Sequence, residues 1–533
     1  MAASQPFGFV CKGGLDTNTN QLAALGAPGT AIALQNFEVD SDSGYRRING
    51  YTPYGTTRPN GTNDIKGVMA YAGGLLVCSG SAIMFTIDGI TWVNVARAGQ
   101  NNTDQTYAAY FGETLVDRAG QGQTSFVYEE GIGDNGTVVI LDGDNLPFTL
   151  TIKGTGDLDT RTYNGHEFSI DQVAGAEIIP SVGTRHETRL VAGAGTSLYY
   201  SSVGSVTSFS TGAHLVLGDT IVGLKSFRDD VIIFCANSIH KFVNMGAGVN
   251  NGEAIVPITT NVGCLAAASI QEIGGDLVFL SSDGIRTIAG TARIGDVELS
   301  SISRQVQPTF AKLAKNINNL IISSAVIRSK NQYRLFYSEA DELVAGSKGI
   351  IGTLTNNGFE WSETLGIQAH AIDSSFDTDG VEKYYHADKK GYVYLHDQGK
   401  SFYSEGAAFN INSRYVTPFY DFGDVGSRKT LHYVKVSISP ESTVIPTLRV
   451  RYDYNSVEAP QPAPYVMTTI PSPSAYGTAL FGTNLYGGIG DPMVRQAVQG
   501  SGHTASFTIT SDDQKGSYRI NGLFIDYVPA GRR

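Results

Sequence analysis

Residues 229–242 read DDVIIFCANSIHKF and residues 275–288 read GDLVFLSSDGIRTI; the two align without a gap, 46 residues apart. In each, four apolar residues lead into a small polar turn (Asn237-Ser238, Asp283-Gly284), and a second short run begins with Ile. An apolar run ended by Asn/Asp/Gly turn chemistry predicts a buried β-hairpin. Recurrence every 40 to 50 residues matches the spacing of propeller blades of about four strands each. Residues 75–86 (LLVCSGSAIMFT) fit the same template without a gap, and 189–201 and 383–396 fit with an extra turn residue. The chain therefore reads as stacked β-hairpins.

Composition agrees. The 533 residues are 41% hydrophobic and only 17% charged, with 63 Gly, 27 Tyr and 24 Phe. Many Gly, Tyr, Thr and Ser serve short strands and tight turns, whereas helix-favouring Lys and Glu are scarce. A chain this long divides into several domains. The expected fold is mainly β: a propeller-like body of hairpin repeats over 61–100 and 186–404, an inserted β-subdomain over 101–185, and a C-terminal β-sandwich over 405–533. Residues 1–60 read as an extended, irregular segment joining the body. Its ordered centre, 31–54, holds a strand (Leu34 to Val39), a turn at Asp42-Ser43-Gly44, and the pair Arg46 and Arg47, which can grip a phosphate or a carboxylate of a neighbouring subunit.

One helix is expected, 307–320, with Pro308 near its start and Phe310, Leu313, Ile317 and Leu320 on one face. Beyond residue 405 the pattern changes. Residues 417–424 (TPFYDFGD), 431–438 (LHYVKVSI) and 447–454 (TLRVRYDY) alternate apolar and polar, the signature of strands with one wet face. The stretch 458–476, with five prolines, is too Pro-rich for regular structure.

The formal net charge of −12 argues against a dedicated DNA-binding surface, which needs clustered Lys and Arg. It is compatible with a wall past which DNA slides without sticking. Cys11, Cys78, Cys235 and Cys264 lie far apart without metal-ligand spacing, so buried free thiols are expected, and no metal or cofactor. The start, MAASQPFGFV, lacks signal-peptide organisation, and no run reaches the length of a membrane span.

Catalytic patterns are missing. Gly-x-Ser-x-Gly and HExxH do not occur. His186 beside Glu187, and His386 two before Asp388, come nearest to a constellation, and both read better as surface residues. The acidic stretches 129–134 and 142–144 do not match a twelve-residue calcium loop and read as turns. Residues 86–92 (TIDGITW) approach the Asp-box of sialidase-type propellers, one residue short, which is itself a structural turn. No catalytic residue is assigned.

Three stretches carry a family likeness. The first is 13–54, ending SGYRRINGYTPY; the second joins 262–288 to SSAVIRSKNQYRLFYSE (323–339). The third runs from RKTLHYVKVSI (428–438) through YGTALFGTNLYGG (476–488) and VQGSGHTASFTITSDD (498–513) to YRINGLFIDYVPAGRR (518–533). In that order they resemble the tail hub and nozzle proteins of short-tailed bacteriophages, including packaged-DNA stabilisation proteins. The resemblance implies a virion structural protein, made in the host cytoplasm and assembled as a homo-oligomeric ring, commonly a hexamer. Such a ring lies below the portal and adaptor proteins, near tail fibre or needle proteins. It extends the conduit for double-stranded DNA and helps retain the packaged genome. Arg46, Arg47, Arg532 and Arg533 become candidate intersubunit contacts. The alternative is a glycan-binding or sialidase-like propeller for host-surface recognition, motivated by the near-Asp-box and the abundant aromatics.

Overall fold

A computed structural model describes residues 4–20, 27–40, 44–71, 73–80, 82–94, 125–129, 137–141, 148–153, 167–172, 179–205, 208–247, 252–289, 301–339, 342–376, 380–467 and 493–530. The fold is mainly β, with a propeller body and a sandwich. Five sheets are four-stranded antiparallel blades, over 65–94, 125–172, 182–216, 221–259 and, in the last, 371–396 completed by Thr52–Pro53. A three-stranded sheet over 271–287 and the first four strands of a nine-stranded sheet, over 320–365, stand between the fourth and fifth of these.

The first strands form a circuit. Ile65–Tyr71 neighbours Ser125–Glu129, and the series proceeds through Val182–His186 and Ile221–Phe227 to the turn Ala267–Ser269 that leads into Gln271–Ile273. Leu320–Ile327 and Ala371–Phe376 follow, and Ala371–Phe376 packs back on Ile65–Tyr71, closing the ring.

The template hairpins occupy equivalent places. Asp230–Cys235 with Ile239–Val243, and Asp276–Ser281 with Gly284–Thr287, are the second and third strands of adjacent sheets. Their apolar faces meet: Ile232, Phe234 and Ile239 pack against Leu277 and Phe279, with Phe234 and Phe279 rings 5.2 Å apart. Each repeat thus buries the face that a lone hairpin would leave wet. Gly74–Ser79 with Ala82–Thr86, Arg189–Ala194 with Ser197–Ser201, and Glu382–Ala387 with Val393–His396 repeat the arrangement. The described strands within 101–185 form a sheet of the same four-stranded order.

Residues 1–60 are more regular than the sequence led us to expect. They supply strands to three sheets, and Thr52–Pro53 pairs with Val393–His396 as the outer strand of the last blade. The propeller is therefore closed by chain from both sides of the body. Gly55 seats this closure on the turn at Gly89, because a Cβ there would lie 1.7 Å from the Gly89 carbonyl oxygen.

The sandwich draws on both ends of the chain. One sheet runs Phe37–Val39, Tyr45–Arg47, Tyr518–Pro529, Lys429–Pro440, Met493–Ala497, with Gln5–Val10 also on Tyr518–Pro529. The other continues from the 320–365 strands through Ala33–Gln35 to Ile411–Val416, Ala505–Asp513, Thr447–Tyr452 and Tyr465–Val466. Alternation works as expected: Leu448, Val450, Phe507 and Ile509 point inward to meet Val434, Val436, Ile520 and Ile525. The strand expected at 417–424 sits earlier, at Ile411–Val416, and 417–424 is irregular, with Phe422 at φ +56°. The helix is Gln307–Lys315, shorter than expected, because Leu320 already begins a strand. Phe310 packs edge-on against the fully buried Trp361 at 6.0 Å.

All four cysteines are buried and free, and burial pushes the Cys11 and Cys264 thiols up to about 12 and Cys235 to about 11. Among the described residues no helix is long and apolar enough to cross a membrane.

Candidate functional site

A buried charge network lies where the sandwich, the nine-stranded sheet and the last blade meet. Its centre is Glu38, on Phe37–Val39, directly opposite Arg46 on the partner strand Tyr45–Arg47. The Arg46 Nη1 donates to Glu38 Oε1 at 2.7 Å, while its Nε and Nη2 hold Glu441 at 2.6 and 2.8 Å. Lys330, at the end of the turn Arg328–Lys330, bridges Glu38 and Asp397 at 2.9 and 2.7 Å. Arg334 Nη2 reaches the same two carboxylates at 2.9 and 3.3 Å. Three cations thus face three carboxylates, of which Glu441 is half exposed, and for the buried Glu38 and Asp397 the pairing compensates the cost of removing charge from water. Burial alone would raise the Glu38 carboxyl; Lys330, Arg334 and Arg46 outweigh it and hold it below the ordinary carboxylate range. Asp397 is lowered in the same way, against burial, chiefly by Arg334 and Lys330.

The network continues into the last blade through two histidines. Arg334 Nη1 lies 3.0 Å from His396 Nε2, and His396 Nδ1 lies 3.2 Å from His386 Nδ1. A guanidinium only donates, so His396 Nε2 accepts and its proton sits on Nδ1. That proton is donated to His386 Nδ1, which leaves the His386 proton on Nε2, a buried atom without a hydrogen-bond partner among the described residues. Burial depresses His386 to about 3, and burial together with His386, Arg334 and Lys330 holds His396 well below its usual value. Both rings are neutral. Tyr51, one residue before the closing strand, stands perpendicular to His386 at 4.7 Å and donates its hydroxyl to the Tyr403 and Gly366 carbonyls at 2.7 and 3.1 Å. The arrangement fastens body to sandwich.

Arg47 is the fully buried neighbour of Arg46. Its Nη1 bonds Asp513 Oδ1 at 2.6 Å, and its Nη2 donates to the carbonyls of Ile411 and Asp513 at 2.8 and 2.7 Å. The carboxylate it grips is on its own chain, because alternation along Tyr45–Arg47 turns it into the interior. An intersubunit contact through Arg47 is therefore corrected to an intramolecular one. Arg46 likewise spends its donors within the chain. Arg532 and Arg533 lie outside the described residues.

The other sequence candidates separate. His386 and Asp388 are both buried, not at the surface, and they do not pair: Asp388 accepts from the Lys390 and Tyr392 amides and the Tyr394 hydroxyl. His186 is also buried, with Nδ1 2.8 Å from Ser226 Oγ, while Glu187 is exposed in a turn at φ +52°. In the near-Asp-box, Asp88 Oδ1 accepts from the Thr86 hydroxyl and the Ile90 and Thr91 amides, which completes a local turn. Acidic residues 130–134 and 142–144 fall outside the described residues. Among the described residues no group of three or more His, Cys, Asp or Glu is placed to hold a metal ion.

Lys330, Arg334 and Asp397 were missed by sequence reasoning. A signal existed: Arg334 interrupts the apolar run of Tyr333, Leu335 and Phe336, and a charge inside a doubly buried strand needs a buried partner.

No protein-family model matches the chain, and no curated protein does. Among solved structures, the WD40 β-propeller domain of Doa1 is similar at TM-score 0.36 and 11% identity, over 65% of this chain and 97% of that one. The extracellular domain of the one-component system BT4673 from B. thetaiotaomicron is similar at 0.36 and 12%, over 72% and 43%. Chaetomium thermophilum Raptor is similar at 0.35 and 11%, over 71% and 30%. The chain thus spans less than half the length of the last two.

Proposed function

We propose that this protein is a non-enzymatic structural component of a bacteriophage tail, of the hub or nozzle kind. In this reading copies assemble into a ring, a hexamer by the family resemblance. The ring extends the DNA-ejection conduit below the portal and adaptor and helps retain packaged DNA. One observation carries the reading. The first and third family-like stretches, at opposite ends of the sequence, hold one another: Tyr45–Arg47 pairs with Tyr518–Pro529, and Arg47 bonds Asp513. The second stretch joins them through Arg334 and Lys330 on Glu38. Residues that carry the likeness are thus residues that hold one another, as a shared architecture requires.

The net charge of −12 fits such a conduit, since a predominantly acidic surface attracts a polyanion only weakly. Light scattering and negative-stain imaging of the purified protein test the ring, with a central hole of roughly 20 Å or more expected, enough to pass the negatively charged duplex. Mass spectrometry of purified virions tests the place of the protein; its absence from them would sink the proposal.

A further inference from the structure

The wet face of the sandwich carries a groove of about 460 Å³ with a one-sided charge. Three neighbouring strands form its floor, in the order Ile411–Val416, Ala505–Asp513, Thr447–Tyr452. Their register places Arg414 opposite Thr510, which faces Thr447 on its other side; Thr508 lies between Val416 and Arg449; Ser506 faces Arg451. Side chains two apart on a strand share a face, roughly 7 Å apart. Arg449 and Arg451 therefore form one wall of the groove, Arg414 stands on the other, and the hydroxyls of Thr510 and Thr508 run between them.

No acidic residue lines this groove among the described residues, and none of its arginines forms an ion pair there. Six other arginines, Arg46, Arg47, Arg286, Arg328, Arg334 and Arg519, each hold a carboxylate. The Arg449 Nε is moreover a buried donor with no hydrogen-bond partner among the described residues. Like charges gathered without counter-charge oppose folding, and a desolvated donor left unpaired adds to that cost. Guanidinium forks with hydroxyls between them match the acceptor-rich oxygens of phosphate, which takes more donors than a carboxylate does.

We propose that this groove binds phosphate groups presented in series, either as a free polyphosphate or as the backbone of a nucleic-acid strand. The phosphates bridge Arg449 and Arg451 on one wall and Arg414 on the other, and accept from Thr508 and Thr510.

Isothermal titration of the full-length protein with inorganic tripolyphosphate tests the site. Binding is expected to weaken at least tenfold in the double variant Arg449→Ala/Arg451→Ala and to be unchanged in Lys312→Ala, a cation of a separate cleft. Arg449→Lys, which keeps the charge but lacks the fork and its Nε–H, should fall between the two. A melting curve for each variant checks that the wet-face changes leave the fold intact. Competition by a short oligothymidylate would identify the strand backbone as the source of the phosphates, and failure to compete would identify a free polyphosphate. Absence of tripolyphosphate binding, or equal binding by the double variant, would overturn the proposal.

Discussion

Arginine does opposite things in two parts of this molecule. At the joint between body and sandwich, Arg334 is buried, and its charge is answered by Glu38 and Asp397, with the neutral His396 accepting a further hydrogen bond. On the wet face of the sandwich, Arg414, Arg449 and Arg451 share a groove without a carboxylate. The first arrangement satisfies itself, so it fixes where two parts of the chain sit. The second leaves its donors for something outside the chain. Residue type is the same; what differs is whether the tertiary structure delivers a counter-charge.

The sharpest test of this contrast is Arg334→Ala. It strands Glu38 and Asp397 with only Lys330 and Arg46 to answer them, and should cost about 3–5 kcal/mol, read as a lower midpoint in urea unfolding. A loss no larger than that of an exposed arginine would mean that the network is slack.

Acid should attack the joint before it affects the groove. The His386 pKa is depressed to about 3 in the folded state against 6.5 in the open chain, so below pH 6.5 the unfolded state binds the extra proton and stability falls with pH. His396 acts in the same sense. Glu38 is depressed too, so its contribution is present above about pH 4.5 and is lost as pH falls below that. Asp373, which burial raises to about 6, opposes the histidines: its folded form takes up a proton first, so it adds stability as pH falls from 6 towards 4. Melting temperature across pH 4 to 7 should therefore drop toward acid in the wild type. It should drop less in a His386→Phe variant compared with its own neutral-pH value; equal slopes would exclude the histidine pair as the cause.

Tyr51→Phe should cost about 1 kcal/mol, because it removes the donor to the Gly366 and Tyr403 carbonyls while keeping the ring packing. Chemical denaturation measures it, and a larger loss would show that the closing strand depends on this hydroxyl. Smallest of all, Arg451→Ala should shift stability within about 0.5 kcal/mol in either direction, since it relieves repulsion as it removes packing. A cost as large as that of Arg334→Ala would make the groove a structural element and erase the contrast.

Legibility followed connection length. All five template hairpins have short turns and proved to be the second and third strands of their sheets. The sheets over 125–172 and 320–365 escaped the template because their middle strands are joined by longer connections, 142–147 and 340–347. A long connection erases the fixed spacing between apolar runs on which the alignment depended. The sandwich strands Lys429–Pro440 and Thr447–Tyr452 were legible because one wet face imposes alternation, whereas 417–424 alternates without forming a strand. Within residues 1–60 the hairpin of Phe37–Val39 and Tyr45–Arg47 was legible from its alternation and turn, whereas Thr52–Pro53 was not, because a strand of two residues shows no period.

The sequence by itself determined the hairpins, their turns, the wet-faced strands of the sandwich and the burial of the cysteines, since each follows from local alternation or from an apolar run ended by turn residues. Only the tertiary structure decided which distant segments complete each other: Thr52–Pro53 the last blade, Gln5–Val10 and Tyr45–Arg47 the sandwich, Glu38 the charge of Arg334. It also decided that Arg47 is enclosed while Arg414, Arg449 and Arg451 share an open groove. Backbone pairing and charge pairing act across space, and a linear pattern carries no record of distance between residues hundreds of positions apart.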